Sequence, residues 1–168
     1  MKVETRSFNC EVRTEETENA GVQLIGRPIV FESRTNMGYC DEIICRNALD
    51  DADLTDVRFL VNHDTKSIPL ARARADNPNS TMKISIDEKG MTIRVNLDTA
   101  NNPVAGTLYS AVKRGDVTGM SFMFRIRGDE WKDIESDHPT RYVQDISAVY
   151  EVSAVTFPAY PETEIQVN

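Results

Sequence analysis

The stretch Val117–Arg127, VTGMSFMFRIR, constrains the fold more than any other part of the sequence. Apolar residues occupy every second position from Met120 to Ile126. A period of two predicts a half-buried strand whose apolar side chains point into the core. Ser121 opens the other face, directly after a turn, so it either fills a polar position or is displayed for chemistry. Taken alone, a serine in this place is more often structural than catalytic.

The length and composition of the chain predict one soluble domain. A chain of 168 residues is long enough to bury a real core, and two full domains would be cramped. Hydrophobic residues make up 40% and charged residues 27%, which is typical of a globular protein. The sequence contains no apolar run near the roughly 20 residues that span a bilayer, and no signal peptide at its start. We therefore expect no membrane partner.

The net charge and the cysteine content indicate which partners to expect and whether the thiols are oxidised. The net charge of −8 argues against a nucleic-acid partner, because phosphate binding needs clustered cations. The three cysteines, Cys10, Cys40 and Cys45, are an odd number in a chain without an export signal. They are predicted to be reduced thiols.

Local signals predict many strands and two helical segments. The clearest helix is Pro103–Arg114, with Asn102 as its N-cap and Gly115 as its end. Its inner face is predicted to carry Val104, Leu108, Ala111 and Val112. Asn47–Asp53 is predicted as a second, short helix, with Ala48 and Leu49 turned inward. The segments predicted as strands are Lys2–Arg13, Val22–Phe31, Val57–Asn62, Ser67–Arg74, Met82–Asp87, Met91–Leu97, Val117–Arg127 and, as two strands, Arg141–Phe157.

This order of elements predicts a mainly β fold with peripheral helices (α+β). Strands and helices do not alternate as they do in βαβ units. A single closed or nearly closed antiparallel β-barrel, made by residues 1–168, fits many strands with few helices best.

A serine hydrolase needs a nucleophile, a base in hydrogen-bond reach, and a group that orients the base. The chain has two histidines, His63 at the end of an apolar strand and His138 in an acidic loop where solvent exposure is the default. On the residues alone, His63 is favoured as a strand-end residue bonded to its neighbour Asp64. The sequence around Ser121 is no nucleophile elbow, because it lacks the second glycine and continues as a strand.

Metal and cofactor sites are weakly indicated. Cys40 and Cys45 have no second pair and no nearby histidine. Asp50, Asp51 and Asp53 lack the glycine and the terminal glutamate of a calcium loop. We expect no metal and no cofactor.

Four motifs then occur in a fixed order. They are Val61-Asn62-His63-Asp64, Asp98-Thr99 before the helix that ends at Lys113-Arg114-Gly115, Gly119-Met120-Ser121-Phe122, and YEVSAVTFPA from Tyr150 to Ala159. With these motifs the chain, from about Val22 to Pro161, resembles the prohead (procapsid) maturation proteases of tailed bacteriophages. That family is related in fold to the herpesvirus capsid protease assemblin. One departure is Met123, where many relatives carry glycine.

The resemblance implies a serine endopeptidase with an assemblin-like fold. In this reading Ser121 is the nucleophile, and His63 is the general base and then the acid for the leaving amine. Glu151 matches the closing motif and is the expected third member, which would hold the productive tautomer of His63. Asp64 and Asp145 remain alternatives for that place.

The resemblance also implies the setting of the reaction. Members cut scaffold or capsid-protein extensions, and often themselves, inside the procapsid assembling in the cytoplasm of the bacterial host. The expected partners are the major capsid protein or its scaffolding segment, the chain itself as substrate, and further copies in a homodimer or homo-oligomer. Relatives are commonly longer, so a trimmed or naturally short form is expected.

Two rival hypotheses come from other classes. A catalytically silent barrel that binds scaffold or assists capsid assembly predicts that Ser121 lies too far from His63 for a hydrogen bond. A metal-dependent hydrolase predicts activity that is lost to chelators.

Overall fold

The computed structural model describes residues 2–9, 12–18 and 21–158. The predicted thiol Cys10 and the end of the last motif, from Ala159 on, lie outside the described residues. The described residues form eleven strands and one helix. In chain order these are β1 (Val3–Asn9), β2 (Val12–Thr17), β3 (Gly21–Val30), β4 (Arg34–Asn36), β5 (Asp41–Ile44), β6 (Asp56–Val61), β7 (Ala71–Arg74), β8 (Met82–Asp87), β9 (Gly90–Leu97), α1 (Pro103–Arg114), β10 (Gly119–Lys132) and β11 (Thr140–Val155).

The strands lie in two sheets. The first has the order β1-β10-β11-β5-β4, with β6 beside β11 and β7 beside β6. The second has the order β2-β3-β9-β8. Strand β11 pairs antiparallel with β10 along most of its length, parallel with β5 near its start, and parallel with β6 near its end. It is therefore the strand that joins the separate parts of the first sheet.

The mainly β chain with a helix at its periphery is confirmed, but the closed or nearly closed antiparallel barrel is not found in the described part of the chain. Both sheets are open there, and β11 has two parallel neighbours. Parallel neighbours are joined by long connections, so no hairpin signal in the sequence indicates them.

Helix α1 begins and ends where it was predicted. The side chain of Asn102 accepts a hydrogen bond from the Val104 N–H at 3.0 Å, and Pro103 occupies the first turn. Gly115 closes the helix in the left-handed conformation, with φ of 80°. Val104, predicted to face inward, is exposed. The buried residues of the helix are Ala105, Leu108 and Val112.

The second predicted helix, Asn47–Asp53, is wrong. Residues 46–51 form successive turns instead. The backbone there pairs with β11, since the Ile146 N–H donates to the Ala48 carbonyl and the Asp53 N–H donates to the Ser147 carbonyl. Ala48 and Leu49 are buried, as predicted. A backbone whose groups bond to a neighbouring strand cannot also complete the i→i−4 pattern of a helix.

The first predicted strand, Lys2–Arg13, is two strands. β1 pairs with β10 in the first sheet, and β2 pairs with β3 in the second. Their pairing partners are distant in sequence, and the local alternation of residues carries no information on them.

The core is one cluster of buried side chains from both sheets and α1. Met120, Phe122 and Phe124 on β10 are fully buried, as predicted, whereas Ile126 is only partly buried. The rings of Phe122 and Phe124 lie 4.7 Å apart between centroids. This packing fixes the strand that carries Ser121.

Two glycines offer a matched test of the backbone. Gly90 has φ of 146°, and a Cβ there would lie 1.9 Å from the Ile29 carbonyl oxygen. Gly115 has φ of 80° and nothing within 4 Å of such a Cβ. We expect Gly90→Ala to lower the free energy of unfolding by about 3 kcal/mol or more, because a clash adds to the strain. Gly115→Ala should lower the free energy of unfolding by about 1–2 kcal/mol, because backbone strain is its only cost. Denaturant unfolding measures both losses, and equal losses would contradict the clash.

Candidate active site

Ser121 lies near the start of β10, on the sheet face opposite Phe122. Its side chain is fully buried, although it does not belong to the apolar face. It stands opposite Ser153 on β11 and opposite Ser7 on β1. Directly opposite residues of paired strands share a face, so the side chains of Ser121 and Ser153 are neighbours.

His63 lies in the turn that follows β6. Asn62 and His63 have φ of 51° and 55°, which is the left-handed region that residues other than glycine rarely adopt. The Asn62 N–H donates to the Ala154 carbonyl at 2.9 Å, and its side chain bonds both the N–H and the hydroxyl of Thr156. Contacts to β11 therefore hold the turn in this strained conformation.

The His63 ring spans β11 and reaches β10. Its Nε2 lies 2.5 Å from Oγ of Ser121, and its Nδ1 hydrogen-bonds Oε1 of Glu151. An ionised carboxylate only accepts hydrogen bonds, so the ring proton belongs on Nδ1 and the lone pair of Nε2 faces the hydroxyl. The silent-module hypothesis expected these two residues to lie too far apart, and that expectation is wrong.

Glu151 and Ser153 lie two positions apart on β11 and point to the same face. Glu151 is 3% exposed, and Ser153 is fully buried. The Ser153 hydroxyl donates to Oε2 of Glu151 at 2.7 Å and accepts the backbone N–H of His63 at 3.1 Å. Ser153 lies within the closing motif YEVSAVTFPA, but no role was predicted for it from the sequence. Ser153 comes two positions after Glu151, and this spacing in a predicted strand indicates that the two side chains share a face.

The alternative residues lie elsewhere. Asp64 accepts from the Ser67 hydroxyl and the Lys66 N–H, and these hydrogen bonds lower the pKa of its carboxyl. A hydrogen bond and ion pair with Arg127 lower the pKa of Asp145. The other histidine, His138, is exposed, and its ring bonds Asp41 at 2.9 Å. Of the three candidates for the third place, the structure brings Glu151 to His63.

Ser121 has a second acceptor on β1. Its Oγ lies 2.8 Å from the carbonyl oxygen of Arg6. A hydroxyl carries one proton, so Ser121 donates either to this carbonyl or to Nε2 of His63. The position of β1 therefore affects which of the two acceptors receives the hydroxyl proton of Ser121.

Charged side chains tie β1 to the rest of the first sheet. The Arg6 guanidinium makes two bonds to Glu42, at 2.6 and 2.7 Å, and one to Glu4 at 2.5 Å. Arg141 bonds Glu4 and Asp129. Burial opposes the charge of Arg6, but its bonds to Glu42 and Glu4 outweigh burial and raise its pKa. This network was not predicted from the sequence, because two of its pairs, Arg6 with Glu42 and Arg141 with Glu4, are 36 and 137 positions apart.

The described residues include no group of three or more His, Cys, Asp or Glu side chains that could hold a metal ion. Cys40 and Cys45 are unpaired, and burial raises the pKa of both thiols. The helix in the described part of the chain is too short and polar to cross a bilayer.

The geometry supports proton transfer from a hydroxyl to an imidazole. A hydroxyl, an imidazole and a carboxylate stand in hydrogen-bonded series, from Ser121 through His63 to Glu151. This series is the pattern by which serine hydrolases activate a nucleophile, and such patterns are recognised by geometry rather than by order in the chain.

The chain is similar to several known proteins. The family model described as the caudovirus prohead serine protease matches residues 8–168. The prohead protease of Enterobacteria phage HK97 is 30% identical over 109 residues, which are 65% of this chain and 43% of that protein. The chain therefore spans less than half the length of this curated relative.

A solved structure has a similar fold. The capsid assembly protease of bacteriophage T4 matches with a TM-score of 0.51, over 92% of this chain and 97% of that one. The two sequences are 12% identical, so the likeness concerns the fold.

The ion network predicts how stability depends on pH. Burial would raise the pKa of Glu4, but hydrogen bonds from Arg141 and Arg6 outweigh burial and lower it from the ordinary 4.5. A lowered carboxyl pKa contributes stability that is present above the ordinary pKa and is lost as the pH falls through the folded-state value.

We expect Glu4→Gln to be less stable than wild type at neutral pH and to lose less stability on acidification below pH 4.5. Denaturant midpoints across that range measure both effects. Glu88→Gln, at an exposed turn, is the control and should follow wild type. A Glu4→Gln curve parallel to wild type would contradict the role of the network.

Proposed function

Because the chain belongs to the caudovirus prohead serine protease family, we propose that it is a serine endopeptidase of phage capsid maturation. The single observation that supports this most is the hydrogen-bonded series from Ser121 through His63 to Glu151. Ser121 is the nucleophile, His63 is the general base, and Glu151 orients the base. The rigid strand and turn positions of these residues favour a preorganised contact.

The first half of the reaction forms an acyl-enzyme. Nε2 of His63 takes the hydroxyl proton of Ser121 as Oγ bonds to the scissile carbonyl carbon. Ionised Glu151 stabilises the imidazolium through the proton on Nδ1. His63 then gives the Nε2 proton to the leaving amine as the peptide C–N bond breaks.

The second half restores the enzyme. A water molecule gives a proton to Nε2 of His63 and adds to the acyl carbon. The proton returns to Oγ of Ser121 as the ester bond breaks, and the new carboxyl terminus leaves. Glu151 stays ionised throughout, because its task is to orient and stabilise the ring.

Access to the serine requires movement. Ser121 is fully buried, and its Oγ contacts the Arg6 carbonyl as well as His63. Attack requires the hydroxyl proton on the His63 side and open space for a carbonyl at Oγ. Since β1 is an edge strand, it can move without breaking pairs on both of its sides.

The proposed substrates are scaffold or capsid-protein extensions and the chain itself. The HK97 relative is named a prohead protease, and the T4 structure is titled a capsid assembly protease. On this basis we place the reaction inside the assembling procapsid, in the cytoplasm of the bacterial host. An extended peptide suits β-strand recognition through main-chain hydrogen bonds.

The remaining parts of the proposal concern assembly. Residues 1–168 act as one assemblin-like protease domain, as homodimer or homo-oligomer, and without metal or cofactor. Nucleic acid and membrane are not among its partners, since the net charge of −8 disfavours phosphate and anionic lipid surfaces.

Removal of the nucleophile should abolish cleavage. We expect Ser121→Ala to stop processing of the major capsid protein of the phage that encodes the chain, when both proteins are co-expressed. Intact mass of the capsid protein measures processing. Ser85→Ala, at an exposed strand position on β8, is the matched control and should process normally. Persistent cleavage by a folded Ser121→Ala protein would contradict the assignment of Ser121 as the nucleophile.

Replacement of the orienting carboxylate should slow cleavage strongly. Glu151→Gln keeps the shape of the side chain but cannot stabilise the imidazolium, so we expect a loss of about 10³–10⁴-fold in rate. Asp64→Asn and Asp145→Asn serve as controls, because their carboxylates bond other residues. Initial rates of capsid-protein cleavage distinguish the three variants. A larger loss in either Asp variant than in Glu151→Gln would assign the third place to that residue instead.

A further inference from the structure

We propose that Ser153 is a positioning residue that holds the Glu151 carboxylate and the His63 backbone in one arrangement. The inference rests on the function proposed above, in which His63 is the base. In this scheme Ser153 acts through the two residues that it bonds, Glu151 and His63.

Ser153 lies between the strand that carries Ser121 and the strand that precedes His63. It stands opposite Ser121 on one neighbouring strand and opposite Leu60 on the other. It is fully buried, so its hydroxyl needs protein partners in place of bulk water. The His63 ring crosses the same strand on its way from β6 to Ser121.

Both hydrogen-bonding functions of the hydroxyl are used on this site. Its proton goes to Oε2 of Glu151 at 2.7 Å, and its oxygen accepts the His63 N–H at 3.1 Å. With Oε2 fixed, Oε1 points to Nδ1 of His63. Removal of the hydroxyl leaves the buried carboxylate free to rotate and the His63 N–H without this acceptor.

The strained turn explains why the second bond matters. His63 has φ of 55°, and its ring direction depends on this backbone conformation. The bonds between Asn62 and Thr156 hold the exposed side of the turn. The bond to Ser153 holds the buried side, next to Glu151, and thereby couples the turn to the carboxylate.

The test compares Ser153→Ala with Ser147→Ala. Ser147 lies on the same strand, and its hydroxyl donates to the Arg125 carbonyl at 3.2 Å. The first readout is the NMR signal of the His63 Nδ1 proton, which moves far downfield in a strong bond to a carboxylate. The chain has two histidines, so a His138→Gln background assigns the signal.

We expect Ser153→Ala to shift this signal upfield or to abolish it through exchange with water. The rate of capsid-protein cleavage at saturating substrate should fall about 10- to 100-fold, the effect of one hydrogen bond to a charged group, with KM little changed. Ser147→Ala should change neither readout. Ser153→Cys keeps a weak donor in the same place and should shift the signal in the same direction by less.

An unchanged Nδ1 signal in folded Ser153→Ala would overturn the proposal, even if thermal stability fell, because that result describes a purely structural serine. The NMR readout does not need turnover. If wild type fails to cleave, the proposed function fails, and the signal still decides whether Ser153 positions His63. If Ser153→Ala does not fold, the Ser153→Cys signal decides.

Discussion

The site depends on the pairing of one strand with two neighbours. The C-terminal half of β11 is paired with β10 on one side and with β6 on the other, in fixed register. Because alternate residues of a strand share a face, this pairing sets Glu151 and Ser153 beside Ser121, and delivers His63 from the end of β6. A slip of one residue in either register would turn these side chains to the opposite face.

Burial makes it costly to leave the polar side chains of the site without hydrogen-bond partners. Ser121, Glu151 and Ser153 are almost fully removed from water, where an unpaired polar group costs about 1–3 kcal/mol. Ser153 bonds Glu151, and His63 links Glu151 to Ser121, so each of these buried groups has a hydrogen-bond partner. The strained turn at His63 is tolerated because β11 satisfies its backbone. In the proposed mechanism, the same arrangement keeps the ring proton of His63 on Nδ1.

Local features could be predicted from the sequence, and long-range pairing could not. The signals that bound helix α1, Asn102 and Gly115, lie directly next to its ends in the sequence. Strand β10 is indicated by the alternation of apolar residues within its own sequence. A closed barrel is not found in the described residues, and the helix predicted at Asn47–Asp53 is wrong. In both places the backbone bonds to strands distant in sequence, including parallel ones. His63 and Glu151 are 88 positions apart, so the motifs suggested them and only the fold brings them together. The hydrogen bonds of Ser153 and Arg6 depend on strand register and were not predicted.

The central claim is that Ser121 and His63 act as one unit, and a double-mutant comparison tests it most directly. Rates of capsid-protein cleavage are measured for wild type, Ser121→Ala, His63→Ala and the double variant. Residues that work as a nucleophile and its base lose their function together, so the account predicts that the double variant is no slower than either single variant. Single losses that are modest and multiply in the double variant would contradict it, since they would describe two independent residues.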